Sequence, residues 1–317
     1  MPAITNATFF YTKKGKPVEL PEPMAPLADT HGHLTPLRHR SPAEAVARAA
    51  LAGVRLLAVP VDPADDVPDV EEFLAWFSSV REEAATILRE AQAPEACELL
   101  DNLYFMAGIH PYGAKAFMED PSIRRRLEQL LDDPRCVCMG EFGLDVGPWS
   151  ELTLEEQLPA MRTQLRMAHE RGLAVELHLR DGQDELATAA HDEALALLRA
   201  EGVPPRGCDL HCYTSGPEVL GPFVELGCHI AFGGASTFAR SDQIREAACL
   251  CPEHLLLSET DSPYMAPVPL RGLECEPAMV ALTVRNLALV REERGIAPLQ
   301  QTYEALWRNA RAFLGLD

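Results

Sequence analysis

Eight short apolar runs recur along this chain, each followed by a segment of helical character, and this alternation limits the fold more than any other feature. The runs are 26–31, 54–61, 103–110, 136–145, 173–180, 208–213, 229–233 and 254–261. Helical spacing is read over 42–52, 70–91, 123–131, 154–171, 184–200, 217–226 and 241–251, with 277–294 and 299–314 after the last run. A strand that returns through a helix lies parallel to its predecessor, so the pattern implies a parallel sheet. Eight units fit an α/β fold of the (β/α)8 TIM-barrel type better than an open doubly wound sheet. The open sheet is further disfavoured because no G-x-G-x-x-G or phosphate loop follows the first run.

The 317 residues suit one barrel with additions, so a single domain is expected over 1–317. An N-terminal extension over 1–25 reads as a hairpin that turns at Lys13-Lys14-Gly15-Lys16. A helical insertion follows the second strand over 63–100, with Phe73, Leu74, Trp76, Phe77, Val80, Ile87 and Leu88 at helical spacing. It is read as a helical hairpin packed on the barrel, in preference to a lid or an oligomer contact.

No apolar run approaches the length of a membrane span, and the first twenty residues lack a signal-peptide pattern. Nine cysteines are scattered without disulfide-like spacing, which suits free thiols in the cytoplasm. The net charge of −20 argues against a broad basic surface for gripping duplex DNA. It does not exclude phosphate chemistry, because bound divalent cations reverse the sign of the field inside a site.

Active sites of such barrels lie at the C-terminal ends of the strands. There the chain places His31 and His33, His110, Glu141, His178, His211 and Asp261. One histidine at a strand end is more often a hydrogen-bonded structural residue. Imidazoles and carboxylates at matching ends of several strands are a different matter, because those are the groups divalent cations take. His31 and His33, two apart, face the same side of an extended segment. By the same period, Met139 and Val137 should share the inward face of Glu141. Cys136 and Cys138 would then face the outer helices as small apolar residues, and Cys249 and Cys251 end a helix. Asp29, Glu176, Asp209 and Glu259 each lie two residues before a candidate ligand. They are expected to point inward below the site, where some accept the free N–H of a ligand imidazole. The alternative is a structural salt-bridge layer.

These motifs resemble the TatD family of metal-dependent deoxyribonucleases and related hydrolases. The matching stretches begin at Asp29-Thr30-His31-Gly32-His33-Leu34, Gly108-Ile109-His110-Pro111 and Gly140-Glu141-Phe142-Gly143-Leu144-Asp145. They continue at Leu177-His178-Leu179-Arg180-Asp181, His211-Cys212-Tyr213-Thr214-Ser215-Gly216 and Leu257-Ser258-Glu259-Thr260-Asp261-Ser262-Pro263-Tyr264. The resemblance covers roughly residues 27–317 in order, and it is specific as an ordered set. It implies a TIM-type barrel with two divalent metal ions. His31, His33, Glu141 and Asp261 would hold the first ion, Glu141 would bridge, and His178 and His211 would complete the second. His110 and Arg180 would contact substrate phosphate. After Pro269 the family's basic segment keeps Arg271, a further candidate substrate contact, while three polar or basic positions become Leu270, Leu273 and Glu274.

The reaction implied is phosphoester hydrolysis by a metal-activated water, on DNA ends or short oligonucleotides, with Asp261 as general base and Glu141 as the shared ligand. Zn²⁺ or Mn²⁺ suits this donor set; Mg²⁺ would need water to complete its shell. An amidohydrolase-type reaction on a lactone, amide or phosphotriester competes with this reading. Many such sites bridge their metals with a modified lysine, and no lysine lies in the barrel strands here. A non-catalytic metal-binding protein is the third reading, disfavoured by the complete ligand set.

Overall fold

The computed structural model describes residues 10–183 and 187–316. Its N-terminal strands β1 (Phe10–Tyr11) and β2 (Pro17–Val18) pair antiparallel around a turn at Gly15, whose φ is 73°. This is the hairpin expected of the extension; residues 1–9 lie outside the described part. Phe10 and Val18 are buried, and the Arg48 guanidinium carbon sits 4.3 Å from the centre of the Phe10 ring.

The barrel follows as β3 (Leu27–Asp29), α1 (Pro42–Leu51), β4 (Val54–Val61), α2 (Val70–Glu90), α3 (Glu98–Asp101) and β5 (Leu103–Ala107). Next come α4 (Ala114–Glu119), α5 (Pro121–Leu131), β6 (Cys136–Asp145), α6 (Leu154–Arg171), β7 (Ala174–Arg180) and α7 (Ala189–Glu201). The chain ends with β8 (Cys208–Leu210), α8 (Pro217–Glu225), β9 (His229–Phe232), α9 (Asp242–Leu250), β10 (Leu256–Ser258), α10 (Val280–Glu293) and α11 (Leu299–Leu314). The start expected for α7 at Asp184 lies outside the described residues. None of the described helices is long and apolar enough to cross a membrane.

β3 to β10 form one sheet in sequence order, with each ladder parallel. The two ends meet. The Thr30 amide donates to the Ser258 carbonyl at 3.1 Å, the Ser258 hydroxyl donates to the Ala28 carbonyl at 3.0 Å, and Gly32 bridges Ser262 in parallel. The predicted (β/α)8 barrel is therefore the observed architecture. Period-two alternation divides its core. Along β4, Leu57, Val59 and Val61 pack among the helices, while Leu56 and Ala58 join Met106, Ala174, Ala231 and Leu257 in an inner cluster. Ala310, Phe313 and Leu314 of α11 complete that cluster.

Two expectations are corrected. Residues 63–100 hold one 21-residue helix, α2, a 3-10 turn over Pro94–Cys97 and the start of the four-residue α3 rather than a hairpin of helices. α2 is itself the crossover between β4 and β5. Phe73 and Phe77 meet Phe105 of β5 edge to face, with ring centres 5.3 and 5.5 Å apart. The second correction concerns β6, whose ladder to β7 shifts register between Met139 and Phe142. The parity inferred from Glu141 holds for Val137, which joins the inner cluster, and for Cys136, which packs in the outer one, but fails at the next two residues. Cys138 belongs to the inner cluster, whereas Met139 packs with Phe142 in the outer one.

α6 braces the mouth. Its start is fixed by a capping box between Thr153 and Glu156. Gln157 and Gln164, seven residues and about two turns apart, are buried and present carboxamides to the strand ends. Gln164 accepts from the Ile109 amide at 2.7 Å and donates to the Ile109 carbonyl at 3.2 Å. Gln157 makes the same pair of bonds to Asp145, both at 2.8 Å. Replacing Gln164 with Leu strands two buried backbone groups, each worth about 1–3 kcal/mol. Urea unfolding of Q164L should show a lower midpoint with an unchanged slope.

Candidate metal centre

The strand ends deliver the candidate ligands to one place. Glu141 comes from β6 and His178 from β7, while His31 and His33 follow β3, His211 follows β8 and Asp261 follows β10. Two tight bends aim the last pair. Cys212 and Asp261 adopt left-handed backbone, with φ of 47° and 53°, a conformation that non-glycine residues hold only under constraint. Close strand contact also needs Gly143, since a Cβ there would lie 2.1 Å from the His178 carbonyl oxygen.

The Glu141 carboxylate is divided between two pairs of imidazoles. Its Oε1 is 3.4 Å from His33 Nε2 and 3.8 Å from His31 Nε2. Its Oε2 is 3.1 Å from His178 Nδ1 and 3.0 Å from His211 Nε2. Asp261 Oδ1 closes the first group, 3.8 Å from His31 Nε2 and 4.0 Å from His33 Nε2.

Hydrogen bonds on the far side of the rings orient them. His31 Nδ1 lies 2.6 Å from Glu176 Oε1, which turns Nε2 toward the centre. His178 Nε2 lies 3.2 Å from Asp145 Oδ2, which turns Nδ1 the same way. Nitrogens then face one another at 3.1 Å (His31 and His33) and 3.2 Å (His178 and His211). Four imidazoles and two carboxylates that converge in this way fit a divalent ion. His31, His33 and Asp261, and likewise Glu141, His178 and His211, bring donor atoms close enough to share one ion.

Glu176, Asp209 and Glu259 are fully buried beneath these rings. Glu176 serves His31. Glu259 Oε1 accepts from the Cys212 amide at 2.5 Å, and its Oε2 stands 3.8 Å from His211 Nδ1, both atoms lacking a hydrogen-bond partner. Both oxygens of Asp209 are buried without a partner. Burial pushes the Asp209 carboxyl up to about 8 and those of Glu176 and Glu259 well above the carboxylate range. Asp29 departs from the expectation. It accepts from the Thr260 amide at 2.8 Å and hydroxyl at 2.6 Å, so it fixes the turn before Asp261 instead of serving an imidazole.

Around the centre opens a cavity of about 1260 Å³. His110 lines it, with its ring 4.4 Å from that of His178. Burial holds His110 down to about 3, so the ring is neutral, and Nδ1 accepts from the Tyr112 amide at 3.3 Å. Its proton therefore sits on Nε2. Arg180 stands on the rim, 3.4 Å from Asp145. Arg271 does not line the cavity: it is exposed, and its guanidinium carbon lies 4.2 Å from the centre of the Phe238 ring. The loop is anchored by buried Leu270 and by Glu274, which accepts from the Arg38 and His39 amides at 3.0 and 2.8 Å. The positions that depart from the family's basic segment thus hold this loop against its neighbours.

Sequence reasoning left Asp145 unassigned, although it ends the fourth run with the same parity as Glu141. Asp145 is buried and meets His178, Arg180 and the Tyr112 hydroxyl, the last at 3.0 Å. Burial raises its carboxyl, but His178 and the Gly147 amide outweigh this and bring it to about 2.

The chain matches the TatD related DNase family over residues 28–315. The metal-dependent hydrolase YcfH of Escherichia coli (strain K12) is 36% identical over 191 residues, 60% of this chain and 67% of that protein. The 3'-5' ssDNA/RNA exonuclease TatD of Klebsiella pneumoniae (strain 342) is 33% identical over 190 residues, 59% of this chain and 66% of that protein. The crystal structure of YJJV, a TatD homologue from Escherichia coli K12, superposes with a TM-score of 0.71 at 26% identity, covering 93% of this chain and all of that one.

Chelator-treated protein should lose stability as pH rises. Asp29 and Asp62, raised by burial to about 7, and Asp209, raised to about 8, keep protons that the unfolded chain sheds near 3.8. Their contribution is complete below that value and lost through the folded one. His178, raised to about 9 because Asp145 and Glu141 outweigh its burial, adds a loss between 6.5 and 9. Melting temperature should be lower at about pH 8.5 than at about pH 5, a gap that added divalent cation should narrow. Glu176→Gln should weaken metal affinity about 10- to 100-fold in a competitive chelator titration.

Proposed function

The chain belongs to the TatD family of metal-dependent hydrolases, and on that premise we propose that it cleaves phosphodiester bonds at the ends of DNA or short oligonucleotides with two divalent ions. The single observation that carries this reading is the division of Glu141 between two imidazole pairs. His31, His33, Asp261 and Glu141 would hold one ion, and Glu141, His178 and His211 the other. Zn²⁺ or Mn²⁺ suits these nitrogens and oxygens. Divalent cations supply Lewis-acid activation of water and neutralise charge on phosphoryl oxygens.

The remaining work belongs to side chains. His110, neutral with its proton on Nε2, offers a hydrogen bond to a phosphate oxygen without the desolvation cost of a charge. Arg180 supplies a permanent positive charge, and Asp145 fixes both it and the far nitrogen of His178. Asp261 takes the proton of the attacking water, its carboxylate placed over His31 and His33 by the bend at its own backbone. The Klebsiella relative is a 3'-5' ssDNA/RNA exonuclease, which supports nucleic-acid ends as the substrate. Nine free cysteines fit a reducing, cytoplasmic setting.

A second reading, hydrolysis of a small ester, lactone or amide, is favoured by the cavity lining, where Arg180 is the one basic chain besides histidines among the described residues. A panel of a single-stranded oligonucleotide, a simple phosphodiester and a lactone separates the two. With Mn²⁺ restored after chelation, the first two should turn over. Asp261→Asn should reduce that turnover by about 10²- to 10⁴-fold, and an unchanged rate would overturn its role as base.

A further inference from the structure

Trp149 is the most exposed large apolar side chain among the described residues, at 69%, and it lines the mouth of the cavity. Its exposure does not come from a loose loop. The turn that carries it is tied at both ends. The Gly147 amide donates to Asp145 Oδ1 at 2.7 Å and the Ser150 amide to the Gly147 carbonyl at 3.1 Å. Gln157 Nε2 donates to the Ser150 hydroxyl at 3.2 Å. Gly147 lets Arg180 pass close by, since a Cβ there would lie 2.6 Å from Arg180 Cδ. The Arg180 guanidinium carbon then stands 5.2 Å from the centre of the Trp149 ring, which covers one face of the indole and leaves the rest to solvent.

A second observation bears on the same place. Besides Glu141 and Asp261, the cavity is lined by Asp62, Asp65, Asp66 and Asp181, while Arg180 is the sole arginine or lysine among the described lining residues. A polyanion that lays several phosphates along this rim meets carboxylates, not counter-charges. Affinity for an oligonucleotide beyond the phosphate at the centre must come from a group other than its backbone.

We propose that Trp149 is a stacking platform for the nucleobase beside the scissile phosphate, so that substrate is gripped by one base face and one phosphate rather than by backbone charge. The inference rests on the phosphodiesterase reading above and adds the element that reads the substrate. Arg180 holds the phosphate with its fork and backs the indole with its flat side. Base–aromatic stacking changes affinity by roughly 5- to 150-fold per base. A single neutralised phosphate gives a salt slope of only about −0.7 on single strands.

The test uses metal-loaded protein and two labelled oligothymidines, one intact and one lacking the two bases that flank its terminal phosphodiester. Binding is followed by fluorescence anisotropy and cleavage on gels. The wild type should prefer the intact strand by roughly 5- to 150-fold. Trp149→Ala should erase that preference and Trp149→Phe should retain most of it, with a slope of log K on log salt near about −0.7. Retention of the preference in Trp149→Ala overturns the proposal, as does a slope of about −3 or steeper. Cleavage of both strands without preference by the wild type sinks the stacking site and leaves the phosphodiesterase reading standing. Preferential binding without cleavage does the reverse, and absence of both removes both.

Discussion

One carboxylate divided between two imidazole pairs is the constraint around which this barrel is arranged. Glu141 can face His33 with one oxygen and His178 and His211 with the other only if β3, β6, β7 and β8 end at matched heights. The ladders from β6 to β8 set three of those heights, and closure of β3 on β10 through the Thr30–Ser258 and Gly32–Ser262 contacts completes the ring. The rings cannot turn freely, because Glu176 and Asp145 hold the far nitrogens of His31 and His178. Below them Glu176, Asp209 and Glu259 are fully buried, Asp209 with neither oxygen hydrogen-bonded and the two glutamates with one each. An arrangement with this much buried polarity is expensive in isolation, and bound cations would offset it.

The convergence of the candidate ligands was legible because a strand has a period of two and a barrel has one mouth. His31, His178, His211 and Asp261 could be read from position alone, and Glu141 likewise. The same period failed at Cys138 and Met139, where the β6–β7 ladder shifts register. A bulge of this kind leaves no mark in composition. Gln157 and Gln164 were invisible for another reason. A glutamine on a helix reads as solvated surface until the strand end it holds is known. The place of Arg271 was not legible from its motif: Leu270 is buried beside it, and Arg271 lies over the Phe238 ring outside the cavity lining.

The crossover helix α2 was overread as an added hairpin because its length exceeded that of an ordinary barrel helix. Its apolar stripe packs on Phe105 and α1. The loop before it still reaches the site. Asp62 accepts from the His110 amide at 3.1 Å, so the segment after the second barrel strand sets the backbone of a residue on the third.

Asp145 has a consequence for how such a site can diversify. The same carboxylate meets the imidazole of His178, the guanidinium of Arg180 and the phenol of Tyr112. A substitution there would disturb the His178 imidazole and the Arg180 guanidinium together, so neither can drift alone. Freedom to adopt new substrates is left to positions that lean on this group without sharing it, such as the apex of the Gly147–Ser150 turn. The barrel separates an inner shell that must change in concert, if at all, from an outer one that can be exchanged one residue at a time.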